Sequence, residues 1–390
     1  MPTDRRQTPP RSSDPTVALV AIGIGRVRRG YERYFSDLYE VLRPRLDVTL
    51  YVGALQEEDA GHNGRRLPGS LTLPNRLARL VPLRRVAGGS EYRGYERECL
   101  AYALALIPKL RRGDHDIVHV IDHPLAKALG RARRLVPMRS TVVYSNACAA
   151  PARFYPPADH VQHIAGPLYD QAIADGYPAS KLSLAPCGVH TSRFRAPFTK
   201  QGLRERHGVD RNTTVLLAIS ALKRPHKRVD HLIEEVARLG REDVLLWIDG
   251  SPEDPSLVDL ARDRLGRRCR ITHVPSEQVP ELLGLADVFV HAALEEAFGL
   301  AIVEAMSAGL PVLVHDSPHF RWLAGEHGRF VDMSESGALA AALRDAASAY
   351  ASVTDELASE ARRRFDWDVV VDTYLDMYRR LASAPAEASA

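Results

Sequence analysis

Two carboxylates, Glu296 and Glu304, stand on either side of the backbone of Phe298, Gly299 and Leu300. The stretch around them, residues 287–314, reads DVFVHAALEEAFGLAIVEAMSAGLPVLV. Residues 287–291 are an apolar run of strand length, 298–308 have the composition of a helix, Gly309 stops that helix, and 311–314 begin another strand. The pattern predicts a βαβ unit. Its loop would deliver a helix N-terminus to the edge of a parallel sheet, where α/β proteins bind ligands. A helix N-terminus carries unpaired N–H groups and partial positive charge, which suits a phosphate. Carboxylates accept well from paired sugar hydroxyls. Together these groups would hold a phosphate and two sugar rings. Either Glu taken singly reads more naturally as an ordinary helix-start acid; the combination is what points to chemistry.

A second strand–loop–helix pattern supplies charge. Residues 214–219 read as a strand and 229–239 as a helix, and between them lie Lys223, Arg224, Lys227 and Arg228. Four cations at a helix N-terminus suit a diphosphate. A charge run is usually a solvated face, but this one occupies a binding position. The first strand, 17–22, and the first helix, 31–42, enclose Gly23, Gly25 and Gly30. The spacing is not Gly-x-Gly-x-x-Gly, so the dinucleotide motif is not met, and a simple tight turn is an equal reading. Gly30 would allow close backbone approach to a ligand. The strand at 116–121 ends on Asp122 and His123, at the edge where catalytic groups gather. A His followed by Pro at a strand end is often only a turn, so both residues stand as candidates.

Glu-x-Phe-Gly-Leu at 296–300, the second Glu at 304 and Ala-x-x-Ala-Gly-x-Pro-Val at 305–312 resemble the signature of family-4 retaining glycosyltransferases with the GT-B fold. Pro186-Cys187-Gly188-Val189-His190 is similar to that family's linker Pro-Asn-Gly-Val-Asp, with Cys187 and His190 as departures, and Phe194 and Pro197 complete the match. The resemblance spans residues 17–382 and is strongest over 214–314. It implies transfer of a sugar, with retained anomeric configuration, from a nucleotide-diphosphate donor (a UDP-sugar by default) to a small-molecule, glycan or lipid acceptor. It also implies roles for residues. Glu304 would accept from the ribose and Glu296 from the transferred sugar. Lys227 and the amides of Phe298, Gly299 and Leu300 would hold the diphosphate. Lys223 or Arg224 would stand in for an Arg that the family carries where this chain has Ala221. Gly25 and Gly30 would approach the donor phosphates and acceptor, His123 or Asp122 the donor sugar, and the backbone at Val274 the base. Two other readings stand beside this one. The chain is a nucleotide-sugar-binding GT-B protein without turnover, a reading motivated by Ala221, Cys187 and His190, or another GT-B enzyme such as an epimerase or phosphorylase.

The elements that must position these residues read as an α/β chain of two doubly wound Rossmann-like domains, which the resemblance implies face each other across a cleft. The expected bounds are 16–190 for the acceptor-side domain, with a helix at 366–382 crossing back to it, and 195–365 for the nucleotide-sugar domain, with a hinge near 187–198. Residues 54–90 read as a polar, solvated insertion or, as the resemblance implies, an acceptor-binding lobe, and 1–15 as a floppy tail without the apolar segment of a secretory signal. The chain has 390 residues, enough for two cores. Its net charge of +3 gives no global case for a nucleic-acid partner. The four Cys have no pairing or metal-ligand spacing and suit a reduced, cytoplasmic setting. No apolar run reaches the length of a transmembrane helix, which leaves peripheral membrane contact open. No cluster with metal-ligand spacing is present, so neither metal nor cofactor is expected, the nucleotide sugar being a substrate.

Overall fold

The computed structural model describes residues 14–24, 30–53, 65–66, 90–148, 150–195, 198–344 and 354–383. These fall into two compact units, one of residues 1–188 and 370–390, the other of 189–369. Gly25 and nearly all of the expected insertion at 54–90 lie outside the described residues.

The first unit contains strands β1 (Val17–Ala21), β2 (Val48–Val52), β3 (Arg65–Arg66), β4 (Ile117–Val120), β5 (Thr141–Asn146), β6 (His160–His163) and β7 (Leu182–Leu184). They are parallel, in the order β3-β2-β1-β4-β5-β6-β7. The connecting helices are α1 (Gly30–Leu42), α2 (Ser90–Arg112), α3 (His123–Ala132) and α4 (Gly166–Ala174). β1 and β4 are buried at every position, as strands covered on both faces must be. The second unit repeats the plan with β8 (Thr214–Ile219), β9 (Val244–Asp249), β10 (Cys269–Thr272), β11 (Val288–His291), β12 (Val312–His315) and β13 (Arg329–Val331). Their order is β10-β9-β8-β11-β12-β13, again all parallel. Its helices are α5 (Lys200–Arg206), α6 (Val229–Leu239), α7 (Ser256–Leu265), α8 (Val279–Leu285), α9 (Leu300–Ser307), α10 (Pro318–Ala324), α11 (Ala338–Arg344) and α12 (Thr354–Phe365). Both units are therefore the doubly wound sheets expected from the alternation of apolar runs and amphipathic segments.

The last helix, α13 (Trp367–Ser383), begins in the second unit, and from Val370 onward it belongs to the first. Its stripe of Val370, Val371, Tyr374, Leu375 and Tyr378 is buried. Two tyrosine hydroxyls would be costly to bury unpaired. Tyr374 meets the Tyr34 hydroxyl at 2.6 Å and donates to the Ala185 carbonyl at 2.9 Å. Tyr378 bonds His119 Nδ1 at 2.7 Å. Where the chain passes between units, the second unit pins the two passing strands together. The Val189 amide donates to the Phe365 carbonyl at 2.7 Å, and the Trp367 amide to the Val189 carbonyl at 3.2 Å.

The first unit also buries three imidazoles in its sheet. Burial pushes His119 down to about 3, and His160 and His163 down to about 4. All three are thus neutral when folded, while an unfolded histidine takes up a proton near pH 6.5. Their contribution to stability is complete above about pH 6.5 and is lost as pH falls toward 4. Urea unfolding should show a falling midpoint over that interval. His119→Phe should make the fall shallower, although it also removes the Tyr378 bond. A midpoint independent of pH between 6.5 and 4 would contradict this.

Candidate active site

In the second unit, chain order reverses between β8 and β11, which are direct neighbours. Loops leaving the same ends of these strands begin side by side, and such a switch point is where open parallel sheets bind ligands. The first loop winds into a tight turn. Arg228 N–H donates to the Arg224 carbonyl at 3.1 Å, and Val229 N–H to the Lys223 carbonyl at 3.2 Å. Arg228 closes the turn at φ 51°, the one positive-φ residue other than Gly among the described residues. Its guanidinium donates to the Met333 carbonyl at 2.8 Å, which helps hold this unfavourable conformation.

The turn brings Lys227 to the second loop, where its ammonium is hydrogen-bonded to Glu296, a residue 69 positions later in the chain. His291, the last residue of β11, donates from Nε2 to the same carboxylate oxygen at 2.9 Å. His226 Nε2 lies 3.9 Å from the other oxygen. The Glu296 side chain is 10% exposed. Burial pushes its carboxyl upward, but the His291 hydrogen bond and charge, together with the Lys227 ammonium, outweigh burial and hold it well below the usual carboxylate range. Glu296 is therefore an anchored, ionised acceptor.

The loop from Glu296 leads directly into α9. The expected helix start at 298 is displaced: α9 begins at Leu300, because Gly299 stands at φ 104°, where L side chains rarely go. A Cβ on Gly299 would also lie 2.9 Å from Leu323 Cδ2. Phe298 and Gly299 thus belong to the loop, and the amides of Phe298, Gly299 and Leu300 donate to no described acceptor. His319 of α10 donates from Nε2 to the Phe298 carbonyl at 2.9 Å. Burial lowers its proton affinity against the pull of that carbonyl, so it acts as a neutral strut. The Phe298 ring packs edge-on against Trp322 and Phe365. Glu304 lies on α9, one turn past Leu300, and is 4% exposed.

The other sequence candidates are placed differently. Lys223 pairs with Glu253, and Arg224 pairs with Asp254 and donates to Ser256 Oγ at 2.6 Å. Neither joins Lys227 at Glu296. The acids that hold them arrive on the loop after β9, the neighbour of β8 on its other side. The Val274 amide is already engaged, donating to Asp249 Oδ1 at 3.0 Å. In the first unit, Asp122 is buried and accepts from the Ile22 amide at 2.9 Å and from the Tyr95 hydroxyl. Both of its oxygens are thus engaged at the β1/β4 switch point. His123 Nε2 donates to the Phe154 carbonyl at 2.8 Å, and its ring stands edge-on to Tyr144. Gly30 is the exposed first residue of α1.

A cavity of about 830 Å³ is lined by Arg224, His226, Arg228 and Glu295 but by none of Lys227, Glu296, Gly299 and Glu304. Among the described residues, no three His, Cys, Asp or Glu side chains are grouped so as to hold a metal ion. Sequence reading missed His291 and His319. The signal for His291 was its place at the end of a buried strand, five residues before Glu296. His319 left no such signal, because its role depends on how α10 packs on the loop. The geometry makes Gly299→Ala a sharp test: it should lower unfolding free energy by about 1–3 kcal/mol, read as a lower urea midpoint at unchanged slope. An unchanged midpoint would contradict the positive-φ cap.

Residues 213–348 match the family model described as Glycosyl transferases group 1. The lipopolysaccharide glucosyltransferase WaaG of Escherichia coli is 29% identical over 158 residues, which is 37% of this chain and 42% of that protein. A D-inositol 3-phosphate glycosyltransferase of Geodermatophilus obscurus is 30% identical over 239 residues, 56% of this chain and 52% of that protein. The matches thus span about half the length of these curated relatives. Among solved structures, HepE of Anabaena in complex with UDP and glucose has a TM-score of 0.72 at 18% identity, covering 95% of this chain and 100% of that one. A glycosyltransferase of Rickettsia africae has a TM-score of 0.73 at 16% identity, covering 95% and 99%. The chain has the fold of the GT-B glycosyltransferases, and the match to the glycosyl transferases group 1 model is confined to residues 213–348.

Proposed function

We propose that the protein is a retaining, metal-independent glycosyltransferase that uses a nucleoside-diphosphate sugar. The observation that carries this reading is the convergence, within the group 1 domain, of an anchored carboxylate, a lysine ammonium and a set of unpaired amides at one switch point. Cleaving a glycosyl–diphosphate bond requires little covalent help from the protein. It requires stabilisation of negative charge on the leaving diphosphate and of positive character on the sugar. Lys227 and the amides of Phe298, Gly299 and Leu300 supply the first. Glu296 supplies the second and accepts from sugar hydroxyls. Glu304 takes the ribose. The acceptor oxygen attacks the anomeric carbon on the face from which the diphosphate departs, and its proton passes to the departing phosphate oxygen.

In the structure Lys227 is engaged by Glu296. When the diphosphate draws on Lys227, His291 keeps hold of the carboxylate. His291 is thus a positioning residue in this account. The UDP-sugar donor and the glycan or lipid class of acceptor are supported by the names of similar proteins. HepE has been solved with UDP-glucose, and WaaG is a lipopolysaccharide glucosyltransferase. A Xanthomonas oryzae relative, 36% identical over 132 residues, is a GDP-mannose-dependent mannosyltransferase, which keeps guanosine diphosphate among the donors to test.

Lys227→Ala should weaken nucleoside diphosphate binding by about 1.5–3 kcal/mol and nucleoside binding far less. Equal losses in calorimetry would remove the diphosphate role. The two carboxylates should separate kinetically. Glu304→Gln should weaken donor and nucleoside diphosphate alike. Glu296→Gln should leave diphosphate affinity nearly intact and lower kcat by about 10- to 1000-fold, or about 1.4–4 kcal/mol. These rates are to be measured in the presence of a chelator, where turnover should persist. A Glu296→Gln variant with normal kcat would overturn the assignment. Wild-type binding of nucleotide sugar without transfer to any of a panel of acceptors would favour the non-catalytic binding reading.

A further inference from the structure

Residues 123–158 carry Lys127, Arg131, Arg133, Arg134, Arg139 and Arg153 and not one Asp or Glu, in a chain with 49 acidic residues. The structure sorts these cations. Arg133 turns inward, paired with Asp159 and donating to the Ser140 carbonyl at 2.8 Å. Lys127, Arg131 and Arg134 follow helical spacing along α3 and the turn after it, and all three are exposed. Among the described residues, none of the three forms an ion pair. They form one side of a groove of about 410 Å³ whose other side includes Tyr155, Pro157 and Tyr177. Gly130 is what lets the two sides meet, since a Cβ there would lie 1.8 Å from the Pro157 carbonyl oxygen.

Both ends of this stripe carry large apolar side chains that pack on nothing substantial. Phe154 is 55% exposed, with the Arg153 guanidinium 4.7 Å above its ring, and its carbonyl is tied to His123 at the start of α3. Leu135, just past the end of α3, is 87% exposed. Neither position contributes much to the core, so folding does not account for these residue types. No helix among the described residues is long and apolar enough to cross a membrane.

We infer that this face of the first unit docks on an anionic lipid bilayer, with Lys127, Arg131, Arg134 and Arg153 at the headgroup level and Phe154 and Leu135 entering the acyl boundary. Cations interspersed with exposed apolar side chains are what an interfacial contact requires. A single-stranded nucleic acid would use the cations and aromatics but has no use for an exposed Leu135. The inference does not depend on the glycosyl-transfer reading, because none of these residues belongs to the proposed donor site.

The test is cosedimentation of the full chain with vesicles of phosphatidylcholine, alone or with about one-third phosphatidylglycerol, at about 0.1 M salt. The chain should partition onto the anionic vesicles and much less onto the neutral ones. Each cation is worth roughly fivefold in partitioning, so the triple variant Lys127→Gln, Arg131→Gln, Arg134→Gln should lose at least tenfold, while Arg131→Lys with Arg134→Lys retains binding. Leu135→Ser, at a position too exposed to affect folding, should lose several-fold and carries the test if the triple variant fails to fold. Equal partitioning onto both vesicle types, no binding to the anionic ones, an undiminished Leu135→Ser, or tighter binding to a single-stranded RNA than to vesicles would each overturn the inference.

Discussion

The ion pair between Lys227 and Glu296 is the interaction on which the proposed site depends. A carboxylate this little exposed is costly to ionise unless positive charge and hydrogen-bond donors compensate it. Lys227 and His291 provide both. They come from opposite sides of one topological feature, the reversal of strand order between β8 and β11, and no local sequence pattern places them together. In the proposed function the pair also sets the condition for binding. An anionic ligand gains from Lys227 only to the extent that Glu296 is held by something else, and His291 is that second holder. The neighbouring turn is built for the same end: Arg228 accepts a strained backbone conformation and Gly299 a glycine-only one, so that ammonium, carboxylate and amides share a small volume.

Most of this architecture was legible in the sequence because parallel strands buried on both faces read as continuous apolar runs. The runs at 17–22, 116–121, 214–219 and 287–291 all correspond to strands within a residue or two. The Glu296–Glu304 motif was legible because its spacing straddles a helix start. The exact helix start was not, since a left-handed Gly299 looks like any glycine until its φ is known. The run of cations at 223–228 was seen, but its division of labour was not. Lys223 and Arg224 are drawn away by Glu253 and Asp254, acids that reach them only through the pairing of β8 with β9. Asp122 was read as a catalytic candidate from its place at a strand end. Its bonds to the Ile22 amide and the Tyr95 hydroxyl depend on contacts far along the chain.

The first unit shows the complementary use of buried polarity. Tyr34, Tyr374, Gln162 and Ser145 form a network that secures α13, and Tyr378 does the same through His119. Such a network specifies one docking of an amphipathic helix where apolar contacts alone would tolerate rotation or slippage. His119 stays neutral because burial forbids charge, whereas Glu296 in the second unit stays charged because its partners demand it. The same physical cost thus secures a helix in one unit and fixes the charge of a carboxylate in the other.

The central claim is that the β8/β11 switch point of the second unit is a nucleoside-diphosphate site. Hydrogen–deuterium exchange with and without uridine or guanosine diphosphate tests it directly, because it reports on the amides themselves. The account predicts slowed exchange in two peptides distant in sequence, one covering 222–230 and the other 294–304, with lesser effects elsewhere in the second unit. Saturating nucleotide that leaves both peptides unchanged while protecting other segments would contradict it.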